Sequence, residues 1–198
     1  MPVLGYYLKV ILWFGVTGLG LPLALLAVRW IDRRPVGTLS SVAGRLRWRL
    51  LVRYFCYGAA VLVPIQLFLA ADGLLLLPMP SLDGHRSSVV AVAITLLVLL
   101  AAVAAQTSAE EYICRGLLMQ TVGTLKGSPW PAILVQTAFF VGMHARHGIV
   151  VPSLIFVTSL AVAGGLVTVR TGGLEAMVAF HFAGNGTSAI VGVFASQP

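Results

Sequence analysis

Three short stretches of this chain gather side chains able to move protons or polarise a carbonyl. The first is Ser108-Ala109-Glu110-Glu111-Tyr112-Ile113-Cys114-Arg115-Gly116. On a helix, Glu111 and Arg115 are four apart and stack on one face, within reach of a charge-assisted pair. Glu110 is turned about 100° away from Glu111 and points elsewhere. Arg115 then holds Glu111, and Glu110 keeps its carboxylate in an apolar setting for proton transfer. The second stretch is Phe140-Val141-Gly142-Met143-His144, with the phenyl ring one turn below the imidazole. The third is His181-Phe182-Ala183-Gly184-Asn185-Gly186. Here His181 and Asn185 are again four apart and present donors to one point. Each stretch also has a plainer reading: charges snorkelling at a helix end, a hydrogen-bonded core histidine, and interhelical hydrogen bonds between small residues.

Composition decides what must hold these residues. The chain has 198 residues, 59% of them hydrophobic, and 21 further glycines. Only 10% are charged, against about 25% in soluble domains, and mean hydropathy is +0.97. So few charges cannot coat a small soluble globule. A soluble enzyme, a disordered chain and a disulfide-stapled module are excluded. The fold class is an all-α integral membrane protein, a bundle of about six transmembrane helices around a polar intramembrane cavity.

A bilayer asks for about 20 apolar residues per helix. By that ruler the spans are about Val10 to Val28, Tyr54 to Ala71, Val89 to Ala105, Ser128-Pro129 to His144, Ile149 to Val169 and Leu174 to Phe194. The first is too long for a signal-peptide core and lacks a cleavage site, so it is expected to stay. Ser128-Pro129 reads as an N-cap followed by proline at the first helical position. The third apolar run passes without a breaker into Gln106 to Gln120, so one long helix or a broken pair is expected there.

Arg29, Arg33, Arg34, Arg45, Arg47, Arg49 and Arg53 crowd one interval between apolar segments. The positive-inside rule makes it a cytoplasmic loop against anionic headgroups, and no nucleic-acid reading motif accompanies the charge. Arg115, Lys126 and Arg170 return to the same side, while Lys9, Arg86 and Arg146 fall outside. Glu175 begins the last span, where a carboxylate suits the helix dipole, and reads as structural. His85 reads as solvent-exposed, and His147 as a helix-end residue that shares a face with His144. Cys56 and Cys114 read as small buried hydrophobes.

Taken in order, Glu-Glu-x-x-x-Arg, Phe-x-x-x-His and His-x-x-x-Asn in a small membrane protein resemble the CPBP family, the CAAX-processing and bacteriocin-processing (Abi) intramembrane endopeptidases. Arg115-Gly116 and Arg170-Thr171-Gly172-Gly173-Leu174 are similar to the family as well. The resemblance covers about Glu110 to Asn185. The spans read as a single transmembrane domain over residues 1–198, with a two-helix hairpin at about 6–71 that matches the family only in being hydrophobic, and a peptidase-like core at about 89–194. The resemblance implies roles: Glu110 as general base on a water that His144 helps to hold, His181 and Asn185 as oxyanion donors, and Glu111, Arg115 and Phe140 in support. No cofactor is expected. A zinc metallopeptidase with Glu110, His144 and His181 as ligands is the alternative, although His-Glu-x-x-His is absent. The expected partners are a peptide or membrane-protein substrate and the lipid bilayer of a bacterial inner membrane.

Other classes fit less well. Ser153 and Ser159 lack the glycine two residues before them that a rhomboid-like nucleophile needs, and no histidine follows Ser188. Asp32, Asp72 and Asp83 fall in loops or at span ends, which disfavours an aspartyl enzyme. A catalytically silent scaffold or immunity protein, and a small proton-coupled transporter, remain as rivals. Straight alternating spans place Glu110 near the inner end of the third and His144 near the outer end of the fourth. Convergence on one cavity therefore requires a broken or re-entrant helix near Gly116 to Gly127, or shifted span boundaries.

Overall fold

The structure, a computed structural model, describes residues 2–71, 89–123, 127–145 and 151–194. Among these the chain is helical, with one isolated antiparallel bridge between Ser41 and Gly173. In order the elements are α1 (Pro2–Gly18), α2 (Gly20–Trp30), α3 (Gly37–Ser40), α4 (Trp48–Ala71), α5 (Val89–Glu111), a π-helical segment (Tyr112–Leu118), α6 (Met119–Gly123), α7 (Trp130–Ala145), α8 (Val151–Thr171) and α9 (Glu175–Phe194). Tyr7–Trp30, Trp48–Ala70, Val89–Gly123, Val151–Thr171 and Glu175–Phe194 are long and apolar enough to cross a membrane, and Trp130–Ala145 is a shorter apolar helix. The protein is an all-α integral membrane protein, as its composition requires.

The boundaries differ from the sequence expectation for local reasons. The first span is two helices, interrupted at Leu19 between Gly18 and Gly20, where the Leu19 N–H is shared by the Gly15 and Val16 carbonyls. Gly18 is required there: a methyl group on it would lie 2.8 Å from Ala105 Cβ. Helix α4 starts six residues before Tyr54 and takes in Arg49 and Arg53, because arginine propagates a helix well. It also runs through Pro64. The third run is one long helix to Gly123, the first of the two expected arrangements, and it widens at Tyr112–Leu118. Such widenings occur frequently at functional sites. Ser128 Oγ accepts from the Trp130 N–H at 3.4 Å, the expected cap of α7. The loop with Asp72, Asp83, His85 and Arg86, and residues Lys126, Arg146, His147 and Gly148, lie outside the described residues.

Two compact units make up the chain. One comprises Met1–Gly20, Val52–Ala109 and Val178–Pro198; the other comprises Leu21–Leu51 and Glu110–Met177. In the first unit, Tyr7 of α1, Leu99 and Val103 of α5, and Ala189 and Val193 of α9 form a buried apolar core. Gln66 Nε2 donates to Ser188 Oγ at 2.6 Å, a neutral polar link from α4 to α9.

In the second unit the π segment and α6 pack on α7, and α7 packs on α8. Cys114, Phe140 and Ala161 form one buried nest, and Met119, Ala132 and Ile133 another. Gln136 Nε2 donates to the Ala161 carbonyl at 2.8 Å, fastening α7 to α8. The segment after α2 is tied to the α8–α9 turn by two backbone hydrogen bonds, Val42 N–H to Gly172 O and Leu174 N–H to Ser40 O, each 2.9 Å. Gly172 has φ +64°, which the turn requires and a side chain would strain.

Candidate active site

The second unit holds Glu110, Glu111, Arg115, Phe140 and His144; the first holds His181 and Asn185. Glu111 and Arg115 form the expected pair one helical turn apart, Nη1 to Oε1 at 3.1 Å, with side-chain exposures of 1% and 0%. The Arg115 guanidinium lies over the Phe140 ring, 4.3 Å from its centroid, a cation–π contact. Phe140 in turn packs on His144, the ring centroids 4.4 Å apart. Glu111, Arg115, Phe140 and His144 thus form one chain of contacts linking the end of α5 to the C-terminal half of α7. Glu110 is half-buried beside Glu111 at the last turn of α5.

His144 Nδ1 is 2.8 Å from the Phe140 carbonyl. A carbonyl only accepts, so Nδ1 carries the proton and a neutral ring has its lone pair on Nε2. This fixes the ring's orientation and leaves the far nitrogen as the basic one, the arrangement that suits proton transfer.

In the first unit, Asn185 Nδ2 lies 3.5 Å from Gln106 Oε1, at the outer limit of a hydrogen bond. The Asn185 amide has a second N–H to give. Gln106 is buried on α5, one turn before Glu110. His181 is half-buried one turn before Asn185 on α9. Among the described residues no group of three or more His, Cys, Asp or Glu side chains is arranged to hold a metal ion.

Four contacts join residues that the candidate motifs left out. Gln106 sits on the same helical face as Glu110, and that offset of four was the one signal available for it. The Ser40 and Tyr112 hydroxyls are 2.8 Å apart, and Gln120 Nε2 donates to the Thr38 carbonyl at 3.0 Å. Arg47 does more than carry loop charge. Its Nε and Nη2 donate to the two Glu175 oxygens at 3.0 and 2.7 Å, and its backbone N–H donates to Oε1 at 2.9 Å. Glu175 is structural, as expected, and its partner lies 128 residues away.

The fold and these contacts define an all-α integral membrane protein with a buried Glu–Arg pair beside a histidine-bearing helix. The sequence matches the family described as type II CAAX prenyl endopeptidase Rce1-like over residues 88–187, and the chain belongs to that family. The matched stretch contains all seven candidate site residues. The chain is also 27% identical to the uncharacterized protein YyaK of Bacillus subtilis (strain 168), over 93% of this chain and 60% of that protein. It therefore spans less than two thirds of this relative's length. No solved structure matches.

Proposed function

We propose that the protein is an intramembrane endopeptidase in which Glu110 deprotonates a water for attack on a peptide carbonyl. His144, presenting Nε2, helps to orient that water. His181 and Asn185 donate to the oxyanion of the tetrahedral intermediate, which collapses with the leaving amine taking up the proton held by Glu110. In a dry cavity both the base and the donors act strongly, because no bulk water competes. The observation that carries this reading is the fixed His144 tautomer at the end of the Glu111–Arg115–Phe140 contact chain, inside the family-matched stretch. The substrate is a peptide or a membrane-protein segment. The membrane is a bacterial inner membrane, with the Arg29–Arg53 interval on the cytoplasmic side, in keeping with the positive-inside rule and the Bacillus relative.

The mechanism needs no metal. A zinc-dependent version would draw its ligands from Glu110, His144 and His181, one carboxylate and two imidazoles, a donor set zinc accepts. The deciding experiment is cleavage of a peptide library by purified protein in detergent, with and without a strong chelator, beside Glu110→Gln. The proposal expects chelator-resistant cleavage that falls about 10²–10⁴-fold in the variant, the usual contribution of a positioned acid–base group. Chelator-sensitive cleavage overturns the metal-free mechanism. Absence of cleavage by the wild type overturns the peptidase reading in favour of a silent scaffold.

A further inference from the structure

The interval between the first two spans does more than turn the chain. Tyr7–Trp30 ends and Trp48–Ala70 begins on a tryptophan, and residues 31–47 between them are non-helical outside α3. Irregular backbone facing lipid does not occur within the hydrocarbon, and tryptophan favours the headgroup layer. Residues 31–47 therefore lie at headgroup depth. The exposed side chains here are of two kinds. Arg33 and Arg45, with Arg29 and Arg49 beside the flanking tryptophans, are basic. Ile31 and Val42, 79% and 86% exposed, are apolar. Arginines interleaved with bare apolar side chains are the pattern of a surface that enters an anionic headgroup layer. Asp32 is the sole acidic residue from Arg29 to Arg53, and Arg34 Nη2 already pairs with it at 2.9 Å.

The inner side of the same segment holds the π segment. Ser40 Oγ and the Tyr112 hydroxyl are 2.8 Å apart and buried. Leu39, fully buried, fills the space that Gly116 leaves, where a methyl group would lie 3.0 Å from Leu39 Cγ. Gln120 accepts from Arg34 Nη1 at 3.1 Å and donates to the Thr38 carbonyl at 3.0 Å. Beside these contacts is a cavity of about 380 Å³, walled by Leu39 and Val42 of the segment and by Met119, Gln120 and Val169 of the helices. The segment is thus held by point contacts next to a space that side chains do not fill. A close-packed joint would be rigid, whereas this one responds to whatever favours the docked segment.

We propose that residues 29–49 form a docking surface for the headgroups of anionic phospholipids, and that their binding fastens the π segment through Leu39, Ser40 and Gln120. A ligand that binds only the docked segment stabilises it, and the contacts that the docked segment makes are stabilised with it. The π segment carries Arg115 and directly follows Glu110 and Glu111, so the charge of the lipid acts on the end of α5. In a peptidase this makes cleavage depend on anionic lipid. That consequence rests on the peptidase reading; the docking surface does not.

The test uses the full-length chain with Trp13→Phe and Trp130→Phe, which keeps Trp30 and Trp48 as its tryptophans. It is reconstituted in phosphatidylcholine bilayers containing phosphatidylglycerol brominated high in its acyl chains or, at the same mole fraction, phosphatidylcholine brominated alike. Bromine quenches a tryptophan it touches, so quenching reads which lipid occupies the surface. Phosphatidylglycerol is expected to quench more strongly. Changing Arg33, Arg45 and Arg49 together to glutamine is expected to cut that preference at least about fivefold, the worth of one surface charge. Hydrogen exchange over residues 112–120 is expected to slow in phosphatidylglycerol bilayers. Ser40→Ala is expected to abolish the slowing and keep the quenching, and Tyr112→Phe, which removes the same hydrogen bond, is expected to act alike should the first variant fail to fold. Equal quenching by the two lipids, or a preference untouched by the three glutamines, overturns the docking surface. Relief of phosphatidylglycerol quenching by a soluble acidic peptide at a concentration equal to the protein's overturns the lipid in favour of an acidic protein partner. Exchange indifferent to phosphatidylglycerol, or a slowing that survives both variants, overturns the coupling. A lipid preference without peptide cleavage by the wild type defeats the peptidase reading alone, and cleavage without a lipid preference defeats the docking surface alone.

Discussion

The two units of this protein differ in the polar groups they bury. In the first, neutral side chains are linked, Gln66 to Ser188 and Gln106 to Asn185. In the second, neutral links such as Gln136 to the Ala161 carbonyl stand beside ionic ones, Glu111 with Arg115 and Glu175 with Arg47. All the described acidic residues lie in the second unit. Neutral amides and hydroxyls pack helices in lipid at little cost and little gain, whereas a buried charge is tolerated only with its partner in place. The contrast matches the division of labour proposed for catalysis. In that proposal the base belongs to the unit with the buried ion pairs, and the hydrogen-bond donors belong to the other.

The sharpest way to break this comparison is to remove one buried charge. Arg115→Met leaves Glu111 unpaired and takes the cation from the Phe140 ring, so a loss of about 3–5 kcal/mol in stability is expected. Thermal unfolding in detergent measures it, and joint replacement of Glu111 and Arg115 by leucine is expected to recover most of the loss. A loss for Arg115→Met no larger than that of a neutral pair would erase the distinction between the units.

Asn185→Ala probes the neutral unit where it is proposed to act on substrate. Cleavage is expected to fall by about 10²–10³-fold through kcat, the effect of deleting one oxyanion donor, while stability changes little. A change confined to KM would assign Asn185 to binding instead. The smallest expected effect is that of Gln66→Leu, about 0.6 kcal/mol in stability with cleavage unchanged, as is typical of a neutral interhelical hydrogen bond in a membrane. A severalfold larger loss would mean that the first unit depends on polar contacts as much as the second.

Much of this was legible in the sequence because helices convert spacing into contact. Glu111 and Arg115, four apart, form the pair their spacing requires. Phe140 and His144, also four apart, stack ring on ring. Charge depletion made the helical membrane fold legible, and Ser128-Pro129 marked the start of α7. What escaped depends on long-range pairing. No local pattern joins Arg47 to Glu175, Ser40 to Tyr112 or Gln120 to Thr38, because each pair is brought together only when the segment after α2 lies against the helices. The π segment escaped for a related reason. Tyr112–Leu118 reads as ordinary helix by propensity, and it widens where Arg115 and Tyr112 are drawn toward tertiary partners.

The central claim is that Glu110 and the donors of α9 act at one point, and cross-linking tests it most directly. In a background with Cys56 and Cys114 replaced by alanine, Glu110→Cys and Asn185→Cys are introduced together. The account predicts that a short thiol-specific cross-linker joins the two cysteines within one chain in the membrane, and that either single variant gives no such product. Absence of the intramolecular product in a folded double variant whose two thiols each react with the monofunctional reagent would contradict it.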